Sequence, residues 1–199
     1  MTRRRETPAE GRARRAAVDD PAAVLDAAAR FLEVRPRSID EVRRRLREAG
    51  YRADLVDGAI ERLAELGMLD DEAFARAWVE SRDRARPRSE RALRSELRRK
   101  GVAGALIAEV MGEREAASME TGQAGDPPSA GDRASSDSAD DVAAARLLAR
   151  RGGAAAREAD LRRRRAKAYA LLARHGFDPD VAGRALATWM AEAGPIAEE

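Results

Sequence analysis

The chain has 199 residues, of which 37% are charged, 4% aromatic and none cysteine, with a formal net charge of +2 at neutral pH. This length is enough for one or two domains with real cores, and the missing cysteines exclude disulfides, thiolate metal sites, iron–sulfur clusters and a cysteine nucleophile. The apolar stretches are too short for a membrane span, no leader pattern follows Arg3, Arg4 and Arg5, and so small a charge does not coat nucleic acid by bulk attraction. A soluble cytoplasmic protein is expected.

Residues 1–18 are small, charged and unpatterned, and read as a disordered arm. From there the chain is dense in Ala, Leu and Arg at helical spacing, with few β-branched residues. Asp20 before Pro21 and Asp178 before Pro179 each read as an N-cap with proline in the first turn. Ser38 with Glu41 is a capping box, and Gly50, Gly67, Gly101 and Gly176 read as C-caps. These signals predict helices near 21–34, 38–49, 53–66, 71–85, 89–100, 103–111, 140–151, 157–175 and 179–192. Residues 113–139, rich in Gly, Pro, Ser, Asp and Ala, read as a disordered linker. Two lysines against 36 arginines need no more than codon bias. With no asparagine and only Gln123, the usual adenine readers are scarce, although arginine still reads guanine.

The helices repeat. Arg35-Pro36-Arg37-Ser38 returns as Arg86-Pro87-Arg88-Ser89, 51 residues on. Val42 then matches Leu93, Leu46 matches Leu97, Gly50 matches Gly101 and Leu55-Val56 matches Leu106-Ile107. A weaker third copy keeps register around Gly176, with Leu172, Phe177, Val181 and Trp189 in equivalent places. The unit is three helices of about 50 residues, too small to be stable alone, so neighbours should stack. The expected fold is all-α: three tandem three-helix repeats over 21–67, 68–112 and 140–192, stacked into an elongated or curved array.

Gly67-Met68-Leu69-Asp70-Asp71-Glu72-Ala73-Phe74-Ala75, with Trp78-Val79 and Arg82, resembles the RecX family, regulators of the RecA recombinase. Leu93-Arg94-Ser95-Glu96-Leu97-Arg98-Arg99-Lys100-Gly101-Val102 is similar to that family's second repeat, and the stretches ending at Gly50-Tyr51 and Gly176-Phe177 to its first and last. Ser89, where the family more often has glycine, and the long linker depart from the pattern. The resemblance implies tandem three-helix repeats and a non-catalytic regulator. Such a regulator binds RecA filaments on single-stranded DNA and inhibits strand exchange, ATP hydrolysis and co-protease activity. A monomer without cofactor, metal or membrane partner is expected, and weak direct DNA contact is left open.

The remaining residues give no active site. Asp70-Asp71-Glu72 reads as acid favoured at a helix start, and His175, the lone histidine, as a cation suited to a helix C-terminus. The aromatics Phe31, Tyr51, Phe74, Trp78, Tyr169, Phe177 and Trp189 read mostly as core. Charge is patterned: residues 38–49, 89–100 and 156–175 net +1, +3 and +5, whereas 52–65, 102–114 and 178–192 net −2, −1 and −2. A helix-turn-helix reader would present its third helix to phosphate, and here the third helices are acidic. Partner contact is therefore expected on the second helices. The candidates are Arg94, Arg98, Arg99 and Lys100, and Arg162, Arg163, Arg164, Arg165 and Lys167, with Leu161, Ala168 and Leu172 marking the apolar stripe. A direct DNA-binding protein and a scaffold for another client are the alternatives.

Overall fold

The computed structural model describes residues 7–122 and 138–192. Every regular element among them is a helix: α1 (Pro8–Ala16), α2 (Pro21–Leu32), α3 (Ile39–Ala49), α4 (Ala53–Glu65), α5 (Asp71–Ala85), α6 (Glu90–Arg99), α7 (Gly104–Gly122), α8 (Ala139–Arg151), α9 (Gly153–Ala156), α10 (Leu161–Arg174) and α11 (Pro179–Glu192). The caps read from sequence are in place. Asp20 accepts from the Ala22 N–H, Ser38 and Glu41 form a reciprocal capping box, and Asp178 accepts from the N–H groups of Asp180 and Val181.

Two segments read as disorder are helical. Within the expected 1–18 arm, α1 starts on a capping box in which Thr7 Oγ1 accepts from the Glu10 N–H while the Glu10 carboxylate accepts from the Thr7 N–H at 2.8 Å. Its anchor is the buried Gly11 and not an apolar stripe, which is why periodicity missed it. Within the expected 113–139 linker, α7 continues to Gly122; residues 123–137 lie outside the described residues.

The chain forms two compact units, one of residues up to Ala75 with Leu97–Gly104, the other of Arg76–Glu96 with the residues from Ala105 onward. In the first, α2, α3 and α4 bury Val24, Val42, Leu46, Val56, Ile60 and Leu63. In the second, α8, α10 and α11 bury Leu147, Leu148, Leu172, Phe177 and Leu186.

Each unit contains the same joint. In the first, the α6 helix ends at Gly101 (φ 79°), where the Val102 N–H closes back on Leu97 O. A Cβ on Gly101 would lie 2.2 Å from Asp40 Cβ. The buried Ser38 hydroxyl donates to Lys100 O, the Ile39 N–H donates to Asp71 Oδ1 at 2.9 Å, and Lys100 pairs with Glu41 at 3.2 Å. In the second, α10 ends at Gly176 (φ 91°), the buried Ser89 hydroxyl donates to Gly176 O at 2.8 Å, and the Glu90 N–H donates to Asp140 Oδ1 at 2.8 Å. Arg114 completes this joint. Its side chain is only 8% exposed and bridges Asp83 and Asp140, each at 2.9 Å. The departure at Ser89 thus places a working N-cap and a donor where glycine would have neither.

His175 sits at this second joint with Nδ1 2.8 Å from Pro87 O. Burial lowers its pKa from the ordinary 6.5, and Arg88, Arg151 and Arg174 push the same way, against the Pro87 hydrogen bond. The sequence reading of His175 as a helix-end cation is therefore corrected: its surroundings favour neutral imidazole.

Three outcomes follow for denaturation experiments. Leu46→Ala and Leu97→Ala, at 3% and 0% exposure, should each cost about 2–5 kcal/mol in urea unfolding. Arg114→Ala strands two acids and should cost on the order of 3 kcal/mol. Because the folded His175 binds its proton less readily than the unfolded chain, its contribution is complete above pH 6.5 and drains as pH falls below that value. The unfolding midpoint should drop between neutral and mildly acid pH, and His175→Gln should flatten that drop.

Candidate partner-binding surface

The nine candidate cations do not form one surface. On α6, Arg94 is half-buried and paired with Glu90 at 2.6 Å. Lys100, 15% exposed, pairs with Glu41 and lies 5.5 Å from the Phe74 ring centroid. Both are spent on structure, Lys100 because the α6 C-terminus carries the first unit's joint. Arg98 and Arg99 stay exposed. Arg94 falls in the second unit, whereas Arg98, Arg99 and Lys100 fall in the first.

On α10 the sorting is sharper. The Asp160 carboxylate caps the helix, accepting from the Arg162 and Arg163 N–H groups at 2.8 and 3.1 Å. The buried face is Arg164, Ala168 and Leu172. Arg164 is only 5% exposed and its Nε donates to Glu158 O at 3.1 Å, so it belongs to the interior. Leu161, expected on the stripe, is 55% exposed. The i, i+4, i+8 row runs from Leu172 through Ala168 to Arg164, and the lone carbonyl of Glu158 favours a guanidinium there. Lys167 is paired with Glu158 at 2.5 Å; that hydrogen bond and the nearby Arg163 hold the Glu158 carboxyl below its ordinary range against slight burial.

Arg162, Arg163 and Arg165 are left. All three are exposed and make no ion pair among the described residues, although Arg163 lies near enough to Glu158 to lower its pKa, which leaves Arg162 and Arg165 as the two cations away from an acid. Tyr169, 39% exposed, stands four residues after Arg165 and seven after Arg162, on the same helical face. The sequence reading counts Tyr169 among aromatics that are mostly core, although the 162–165–169 spacing signals an exposed cationic face. Phe74 and Phe177 are buried as expected. Trp78 is half-buried, donates from Nε1 to Glu96 at 2.9 Å and carries the Arg82 guanidinium 4.1 Å from its ring. Burial alone would raise the Glu96 pKa, but the hydrogen bonds from Arg82 and Trp78 bring it below the ordinary value. In the acidic run, Asp70 caps α5 by accepting from the Glu72 and Ala73 N–H groups, and Asp71 serves the first joint. Their roles are structural.

The α10 arrangement is a cationic face with one aromatic, suited to an anionic partner surface. Two family models match the chain: the first three-helix domain of RecX over residues 25–63 and the second over residues 70–111. The chain is 37% identical over 92 residues to the regulatory protein RecX of Pelodictyon phaeoclathratiforme, covering 46% of this chain and 58% of that protein. It is 35% identical over 100 residues to that of Prosthecochloris aestuarii, covering 50% and 66%. The chain thus spans roughly three fifths of the length of these curated relatives. The crystal structure of RecX from Lactobacillus salivarius superposes over 87% of this chain and 98% of its own, with a TM-score of 0.59 at 17% identity, a likeness of fold. The chain belongs to the RecX family.

Proposed function

We propose that this protein is a non-enzymatic regulator that binds RecA nucleoprotein filaments and inhibits strand exchange, ATP hydrolysis and co-protease activity, acting as a cytoplasmic monomer without cofactor. Family membership supports the regulatory role, and the relatives are themselves described as regulatory proteins. Among the described residues no helix is long and apolar enough to cross a membrane. The observation that carries the reading to a surface is the α10 face, where Arg162 and Arg165 stand unpaired beside exposed Tyr169. Arg98 and Arg99 on α6 are the second contact region. Of the cations first considered, Arg94, Lys100, Arg164 and Lys167 are engaged within the fold and take no part in the proposed contact.

A second reading, direct binding to single-stranded DNA, draws on the same α10 face, because unpaired arginines with an aromatic also suit phosphate and base. The acidic third helices weigh against duplex reading.

The test is RecA ATP hydrolysis on single-stranded DNA titrated with this protein, alongside co-sedimentation with the filament. Near-stoichiometric protein should inhibit hydrolysis. Arg162→Glu with Arg165→Glu should keep helicity and unfolding free energy within about 1 kcal/mol, since both sites are exposed and unpaired. The same pair should weaken filament binding severalfold and reduce its salt dependence. If bare strand is the ligand, the salt slope should fall by roughly 1.4 with or without RecA. Inhibition by the double variant equal to that of the wild type would overturn the assignment of this face.

A further inference from the structure

Many arginines of the first unit are paired with acids. Arg43 and Arg47 share Asp57, Arg44 pairs with Asp40, Arg52 with Asp19 and Asp54, and Arg62 with Glu65. One region breaks this pattern. Between α1, α2 and α3 lies a cleft of about 480 Å³ into which Arg12, Arg15, Arg30 and Arg45 converge, with Phe31 and Tyr51 in its wall and Glu48 as the one carboxylate lining it.

Each cation is placed by the fold. The backbone of Arg12 rests on the left-handed Gly50 turn, where a Cβ would lie 2.9 Å from Arg12 O, so α1 cannot slide without losing that seat. Arg15 Nε donates to Ala49 O at 2.5 Å. Arg30 has only a loose, exposed partner, Asp26 at 3.8 Å. Arg45 lies 5.8 Å from the Phe31 ring centroid, on which Arg37 stacks at 4.1 Å. Arg12 and Arg45 make no ion pair among the described residues, and the buried Nε of Arg37 has no hydrogen-bond partner. Burial and the neighbouring cations Arg35 and Arg45 lower the Arg37 pKa, with Glu41 opposing them. Positive charge is thus concentrated on a concave, partly apolar surface, four arginines against the single carboxylate of Glu48.

We propose that this cleft binds a compact phosphate-rich small molecule of nucleotide size. Guanidinium groups from three helices match the oxygens of a polyphosphate, and their forked donors suit phosphate better than a point charge would. The volume lies in the range of small-molecule sites. Glu48, the one carboxylate lining the cleft, would repel the continuing backbone of a nucleic-acid strand, which favours a short ligand over a polymer.

The test is isothermal titration of the full chain with inorganic triphosphate and with adenosine triphosphate, each repeated in the presence of a single-stranded oligonucleotide. Both probes should bind once per chain, more weakly at high salt. Arg12→Ala with Arg45→Ala should weaken both by about tenfold or more at unchanged helicity; if that pair loses helicity, Arg12→Gln with Arg45→Gln carries the comparison. Arg162→Glu with Arg165→Glu should leave probe binding unchanged, which keeps this site separate from the filament-binding face. Failure of both probes to bind, binding indifferent to Arg12 and Arg45, or displacement by the oligonucleotide at equal phosphate concentration would each overturn the proposal.

Discussion

The fold turns on a left-handed glycine at the end of a helix, pressed against an earlier one. Gly50, Gly101 and Gly176 all have positive φ, which any side chain would strain, and all three lack room for a Cβ against Arg12, Asp40 and Ser89 respectively. Gly67 shows the two requirements are separable, since its φ is positive and nothing lies within 4 Å of its Cβ position. Gly67 makes a turn; the other three make joints. A joint of this kind also needs a donor for the carbonyls that the helix end leaves free. Ser38 and Ser89 supply it at Lys100 and Gly176, while their own helices take the same hydroxyls as N-caps. One buried hydroxyl therefore satisfies two backbone ends, and its replacement by alanine would leave both without a partner.

The second component of each joint is an aspartate taken partly out of water. Asp71 and Asp140 accept the N–H of the residue after the serine, and burial raises the pKa of both. Asp140 remains raised even with Arg114 alongside, so desolvation outweighs the ion pair there. A carboxyl held above its ordinary range is not lost on mild acidification, because the folded state binds the proton more readily than the unfolded chain. His175 has the opposite sign at the same second joint. Its imidazole faces Arg88, Arg151 and Arg174, so His175 works against this joint in acid where Asp140 does not.

Helix positions, caps and the repeat were legible because each has a local signature: a serine with glutamate three residues on, a proline in the first turn, a glycine at the last. The core of the first unit followed from spacing alone, with Val42 and Leu46 where the repeat put them. What escaped was whatever depended on distant partners. α1 carries its own capping box but little apolar surface, and it is held by backbone packing on Gly50, a contact no pattern announces. Arg114 looked like part of a linker because its partners, Asp83 and Asp140, are far away in sequence. Arg164 looked like one more cation in a run of four, and only the carbonyl of Glu158, presented by the turn after α9, draws it inside.

The same dependence governs what charge is available to a partner. Net charge per helix ranked α10 above α6 and α6 above α3, yet net charge counts neither pairing nor burial. On α3, Arg43, Arg44 and Arg47 are matched to Asp57 and Asp40. On α6, the lysine that ends the helix is consumed by a joint. Exposed, matched pairs contribute little field beyond a Debye length, since each cation is screened by its own carboxylate as well as by salt. Long-range attraction then comes from the cations that make no ion pair among the described residues. In the second unit these include Arg162 and Arg165; in the first they include Arg12 and Arg45. An arginine-rich chain with almost no net charge can in this way present two localised positive sites, one in each unit, because its acids are assigned elsewhere by the fold.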